Sequence, residues 1–170
     1  MSERFRIALA GNPNSGKTTT FNALTGARQH VGNYAGVTVE KREGVYEREG
    51  REYDVVDLPG TYSLTSYSPE ERIAQNELLN GKFDVVVVVV DSTALKRSLV
   101  FMAQLMQLNI KIVLSLNMSD EAEKIGQRIN LQLFRDLLGF PVVETASHKR
   151  VGVDDLKAAI DQAVAAPVLN

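Results

Sequence analysis

Residues 85–90 are all valine, and the run is fenced by Asp84 and Asp91. β-branched side chains favour extended backbone, and a strand that is apolar on both of its alternating faces must be covered on both. The run is far too short to cross a bilayer, which takes about 20 residues as helix. A buried parallel strand satisfies it, so the chain has to supply helices for two faces of one sheet.

The remaining pattern supplies them. Strands are predicted over 4–10, 37–49, 51–57, 85–90, 110–116 and 141–144, with Glu49-Gly50 turning the second into the third. Helices are predicted over 16–25, 69–80, 94–107, 131–138 and 153–165. Ser68 before Pro69 reads as an N-cap with proline in the first helical position. The expectation is a six-stranded, mostly parallel sheet with one antiparallel strand and helices on both faces. At 170 residues the chain suits one such domain.

Composition narrows the chemistry. There is no cysteine, which removes disulfides, thiolate metal sites and cysteine nucleophiles. Net charge is -2, so no basic excess points to nucleic acid. The apolar stretch at 5–10 is too short for a secretory leader. His30 and His148 lie far apart and lack ligand spacing; with Arg28 and Lys41 they read as solvated. Met102 and Met106, beside Phe101 and Leu105, read as a helical core stripe.

Gly11-Asn12-Pro13-Asn14-Ser15-Gly16-Lys17-Thr18 fits G-x-x-x-x-G-K-[ST], between a predicted strand and a predicted helix. In such a loop successive N–H groups and a helix N-terminus face phosphate oxygens. Lys17 is expected at the β- and γ-phosphates, Thr18 at Mg²⁺, and Thr19 alongside the nucleotide. Asp57-Leu58-Pro59-Gly60 follows a strand; Asp57 is suited to Mg²⁺ and the Gly60 N–H to a γ-phosphate. Asn117-Met118-Ser119-Asp120 follows another. Its Asp120 carboxylate can accept from guanine N1–H and the 2-amino group, a donor pair adenine lacks, and such a site rejects the wrong base by roughly 10⁴–10⁵. Thr145-Ala146-Ser147 comes after the last strand, where a backbone N–H would meet guanine O6. Ras-like proteins usually carry serine before alanine there, so the order is exchanged.

These segments, in this order, resemble Ras-like GTPases. A closer resemblance lies in Val31-Gly32-Asn33-Tyr34-Ala35-Gly36-Val37-Thr38-Val39-Glu40-Lys41 and in Asp57-Leu58-Pro59-Gly60-Thr61-Tyr62-Ser63-Leu64. Both are similar to segments of the N-terminal G domain of the bacterial ferrous-iron transporter family FeoB, over essentially the whole chain. The resemblance implies one G domain over 1–170, with a first switch near 28–41 and a second near 57–72. Gly36, Val37 and Thr38 would approach the nucleotide, and Thr38 would sense Mg²⁺ and the γ-phosphate. It also implies potassium, held by Asn14 and by backbone carbonyls near Gly32 and Tyr34. Asn14, Lys17, Thr38 and Gly60 would then carry the hydrolytic work.

Thr61 stands where Ras has a glutamine that orients water, and it is too short for that task, so slow turnover is expected. Glu70 and Glu71 read as a solvated first helical turn. The implied ligands are GTP and GDP. The implied partners are a following helical domain, a membrane-embedded remainder of the same transporter, and small accessory Feo proteins, with oligomers through the full-length protein. The expected place is the cytoplasmic face of the bacterial inner membrane, this segment being soluble, with nucleotide state regulating Fe²⁺ uptake. Two other readings stay open: a ribosome- or tRNA-associated GTPase, against which D-L-P-G and the charge argue, and a nucleotide sensor with negligible turnover.

Overall fold

A computed structural model describes residues 3–65 and 68–166. Ser66 and Tyr67, within the expected second switch, lie outside the described residues, as do 167–170 of the apolar tail. The strands are β1 (Arg4–Gly11), β2 (Gln29–Asn33), β3 (Glu40–Arg48), β4 (Arg51–Asp57), β5 (Val85–Asp91), β6 (Ile112–Asn117) and β7 (Val142–Glu144). The helices are α1 (Lys17–Thr25), α2 (Pro69–Asn80), α3 (Leu95–Met106), α4 (Ser119–Lys124), α5 (Leu131–Leu138) and α6 (Val153–Ala165), with short 3₁₀ turns at Ser92–Ala94 and Ser147–Lys149.

One sheet runs β2-β3-β4-β1-β5-β6-β7. Only β3 opposes the rest: it pairs antiparallel with β2 and β4, while β1, β4, β5, β6 and β7 pair in parallel. The sheet has seven strands rather than the expected six. The extra one, β2, is Gln-His-Val-Gly-Asn and almost wholly exposed. It has neither alternation nor an apolar run, and its strand form comes from pairing with β3 at the sheet edge, where Gly32 faces Lys41.

The valine run behaves as its composition demands. Val85, Val87 and Val89 join Ile7, Leu9, Phe21, Leu156 and Ile160 in the core under α1 and α6. Val86, Val88 and Val90 join Leu78, Phe101, Met102, Leu105 and Leu114 on the opposite face, under α2 and α3. Burying one such side chain contributes about 1.5–3 kcal/mol. Met102 belongs to the core, but Met106 is 45% exposed and does not extend the expected stripe. The C-terminal ends of β1, β4, β6 and β7 open on one edge, where ligands bind in open α/β sheets. Among the described residues no helix is long and apolar enough to cross a membrane.

Candidate functional site

The loop from Gly11 to Gly16 leaves β1 and enters α1 at that edge. Gly16 is left-handed, with φ +87°, and a side chain there would collide with the Asn117 amide. Only glycine suits such a position. Asn14 is also left-handed, with φ +66°, and exposed. Asn12 is buried and donates to the Arg97 carbonyl at 3.1 Å, fastening the loop to α3. Thr18 and Thr19 sit exposed in the first turn of α1.

Lys17 pairs with Asp57, which ends β4 beside Leu9 of β1. Both side chains are largely buried, at 11% and 4% exposure. Burial pushes the Asp57 carboxyl above its ordinary range and outweighs the opposing pull of Lys17. The buried carboxylate thus already holds a cation. With the Thr18 hydroxyl nearby in sequence, the donors are oxygens of the kind that suit a hard divalent ion such as Mg²⁺.

The second expected switch begins where Leu58 N–H bonds Leu9 at 3.0 Å and Thr61 N–H bonds Gly11 at 3.0 Å. Gly60 lies so close to Pro13 that a Cβ would approach its ring and backbone at 3.0 Å. Thr61 is fully buried, and its hydroxyl donates to the Ser63 carbonyl at 2.7 Å and to Glu71 at 3.1 Å. Glu71 also accepts from the Ser68 hydroxyl, while Ser68 accepts from the Glu71 N–H at 3.1 Å. Ser68 thus caps the first turn of α2, and the Glu71 carboxylate holds the capping hydroxyl in place. Glu71 is therefore a structural bond-maker, unlike the exposed Glu70.

The first expected switch is a hairpin arm of the sheet. Tyr34 N–H bonds Val39 at 3.0 Å, and the Tyr34 carbonyl accepts Val37 N–H at 3.3 Å. Gly36 turns the chain with φ +77°, and Thr38 is exposed in the same turn. Neither Thr38 nor Asn14 makes a hydrogen bond across to the other segment among the described residues. Of the residues expected at potassium, Asn14 lies in the phosphate loop, Gly32 in β2 and Tyr34 just after it. Lys41 is half-buried and pairs with Glu43 at 3.0 Å rather than standing free.

Asn117, 2% exposed, binds three segments together. Its Nδ2 donates to the Ser15 carbonyl at 3.1 Å, and its Oδ1 accepts from the Thr145 hydroxyl and the Ser147 N–H, each at 3.1 Å. Thr145 meets the Ser115 hydroxyl at 2.8 Å, and Ser147 meets Thr20 of α1 at 2.8 Å. Ala146 is buried between them. Met118, with φ +59°, starts α4 and presents Asp120 on its first turn. Asp120 lies 2.9 Å from Lys149 Nζ and 3.1 Å from His148 Nε2. The Lys149 ammonium beside it is the chief influence holding its carboxyl below the usual range. Sequence reasoning missed Thr20, Ser115, His148 and Lys149 here, because none belongs to a spacing motif; only the folded chain brings them together.

A family model described as ferrous iron transport protein B matches residues 5–160. The Fe(2+) transporter FeoB of Salmonella typhimurium is 48% identical over 164 residues, which is 94% of this chain but 21% of that protein. This chain thus spans about a fifth of that relative's length. The G domain of the T. maritima FeoB iron transporter superposes with a TM-score of 0.89 at 42% identity, covering 95% of this chain and 99% of that one. The cytosolic domain of the same transporter in a GDP form gives a TM-score of 0.94 at 41% identity, covering 99% and 66%.

Proposed function

Because the chain belongs to the ferrous iron transport protein B family, we propose that it is a guanine-nucleotide-binding and GTP-hydrolysing domain that regulates Fe²⁺ uptake by a membrane-bound transporter. The observation carrying this reading is the bonding of Asn117, which ties the phosphate loop at Ser15 to Thr145 and Ser147 beside Asp120. In this reading a phosphate cradle and a guanine-selective carboxylate share that edge.

In this reading Gly11 to Thr19 cradle the phosphates, with Lys17 leaving Asp57 for the β- and γ-oxygens. Asp57, Thr18 and Thr38 hold Mg²⁺, which neutralises charge on the phosphates when bound. Gly36, Val37, Leu58, Pro59 and Gly60 close around the γ-phosphate, the Gly60 N–H donating to it. Asn117, Met118, Asp120, Thr145, Ala146 and Ser147 enclose the base. Thr38 must leave the hairpin turn to act, so residues 28–41 and 57–72 serve as the two switches of a single domain over 1–170. In the full-length protein that domain would lie on the cytoplasmic face of the bacterial inner membrane.

Thr61 points into the switch, bonded to Ser63 and Glu71, and is not free to orient water. Slow intrinsic turnover follows, and that burial also favours a sensor with little hydrolysis. Asn14 distinguishes the two readings: exposed in the loop, it is available to hold potassium with carbonyls of Gly32 and Tyr34 once the hairpin turn opens. Potassium there supplies positive charge against the transferring phosphoryl group.

The test is phosphate release from GTP in potassium and in sodium at equal ionic strength, for this chain and for Asn14→Ala. The reading predicts faster release in potassium, and loss of that advantage in the variant. Equal rates in the two salts would remove potassium; no release in either would leave the sensor.

A further inference from the structure

Tyr34 follows β2 and opens the turn that carries Thr38. Its side chain is 9% exposed, and its hydroxyl reaches neither solvent nor, among the described residues, a hydrogen-bond partner. The Lys41 ammonium lies 5.5 Å from the ring centroid. Four further charged groups act on the phenol: Glu77 of α2, Asp57 of β4, Glu43 of β3 and Arg6 of β1. Burial pushes the phenol above its ordinary range, and the three carboxylates push the same way, Glu77 most strongly. The buried ring thus lies within the field of charged groups on α2, β4, β3 and β1.

Two opposed contributions meet in this side chain. Burial of an aromatic ring holds the hairpin against the sheet edge. The hydroxyl works against it, because it has given up water and gained no partner. The backbone of the same residue is engaged as well, through Val39 and Val37. Ring burial and backbone bonds thus both hold the residue that opens the Thr38 turn.

We propose that the Tyr34 side chain is a positioning residue for switch I: its ring anchors the hairpin in the sheet, and its unpaired hydroxyl limits that anchor so that Thr38 is released to a triphosphate nucleotide. The proposal rests on the reading of Thr38 given above. It assigns a task to the side chain, distinct from the carbonyl considered for potassium.

Tyr34→Phe and Tyr34→Ala push the balance in opposite directions. Phenylalanine keeps the ring and removes the orphaned hydroxyl, so the hairpin holds more tightly. Alanine removes the anchor. Two readouts apply, after thermal unfolding establishes that both variants fold. The first is amide hydrogen exchange of residues 29–40 in nucleotide-free protein, which reports local opening. Exchange is expected to slow about tenfold in Tyr34→Phe and to quicken at least as much in Tyr34→Ala. The second is the affinity for a non-hydrolysable GTP analogue divided by that for GDP, with Mg²⁺. This ratio should fall about tenfold in Tyr34→Phe and rise in Tyr34→Ala. Exchange that does not quicken in Tyr34→Ala overturns the anchor, and exchange that is unchanged or quickened in Tyr34→Phe overturns the limiting role of the hydroxyl, whether or not any nucleotide binds. Exchange that moves as expected while the ratio stays fixed overturns the link to the triphosphate. Wild-type protein that binds neither nucleotide overturns the functional reading and that link together, and exchange alone then judges the anchor.

Discussion

Asp120 of α4 is paired with the turn that follows β7. Lys149, at 2.9 Å, holds its carboxyl below the ordinary value of 3.8, with His148 adding to the effect. A carboxylate whose folded pKa is lowered contributes stability that is present above the unfolded pKa and lost as pH falls through the folded one. The Asp120–Lys149 contact should therefore persist throughout the neutral range and break only below the usual carboxylate range. GDP affinity should show no step from Asp120 between about pH 5 and 8, measured by fluorescence titration. Asp120→Asn should weaken GDP by about a hundredfold, through two lost charge-assisted hydrogen bonds, and should favour xanthine nucleotides. Unchanged GDP affinity would mean that Asp120 does not read the base. Asn117 and Asp120 were legible because their spacing follows a strand. Lys149 was not: a lysine after a short strand carries no pattern, and its role arises from how the Ser147–Lys149 turn folds back onto α4.

At the scale of elements, the sequence readily marked helices that carry their own signals. The N-cap Ser68 and the proline after it start α2 as expected, and the structure adds Asn130 as the cap of α5 and Gly152 before α6. All three helices occupy their predicted spans. The elements that escaped, β2 and α4, are short and exposed, so neither burial period nor length reveals them. The Ser68 cap of α2 yields a stability prediction. Ser68→Ala should cost about 1 kcal/mol, seen as a lower urea midpoint with unchanged slope. Thr61→Val should cost about as much, since it removes the hydroxyl shared by Ser63 and Glu71. A Thr61→Val protein as stable as wild type would contradict the view that Thr61 braces the second switch.

For the whole molecule, the valine run dictated a two-faced core, and that core sets strand ends Gly11, Asp57 and Asn117 along one edge. The edge was legible as motifs. The bonds that fuse it were not, because Asn117 reaches Ser15 across a separation of 102 residues. Nor was the posture of residues 29–33 legible, since a polar five-residue segment becomes a strand only by pairing with β3. The central claim is that this edge binds and hydrolyses guanine nucleotides. Multiple-turnover phosphate release with Mg²⁺ and potassium, from GTP and from ATP at matched concentrations, tests it most directly. The account predicts slow but sustained release from GTP, at least about a thousandfold less from ATP, and loss of release in Lys17→Ala. Equal release from the two nucleotides, or release that survives Lys17→Ala, would contradict it.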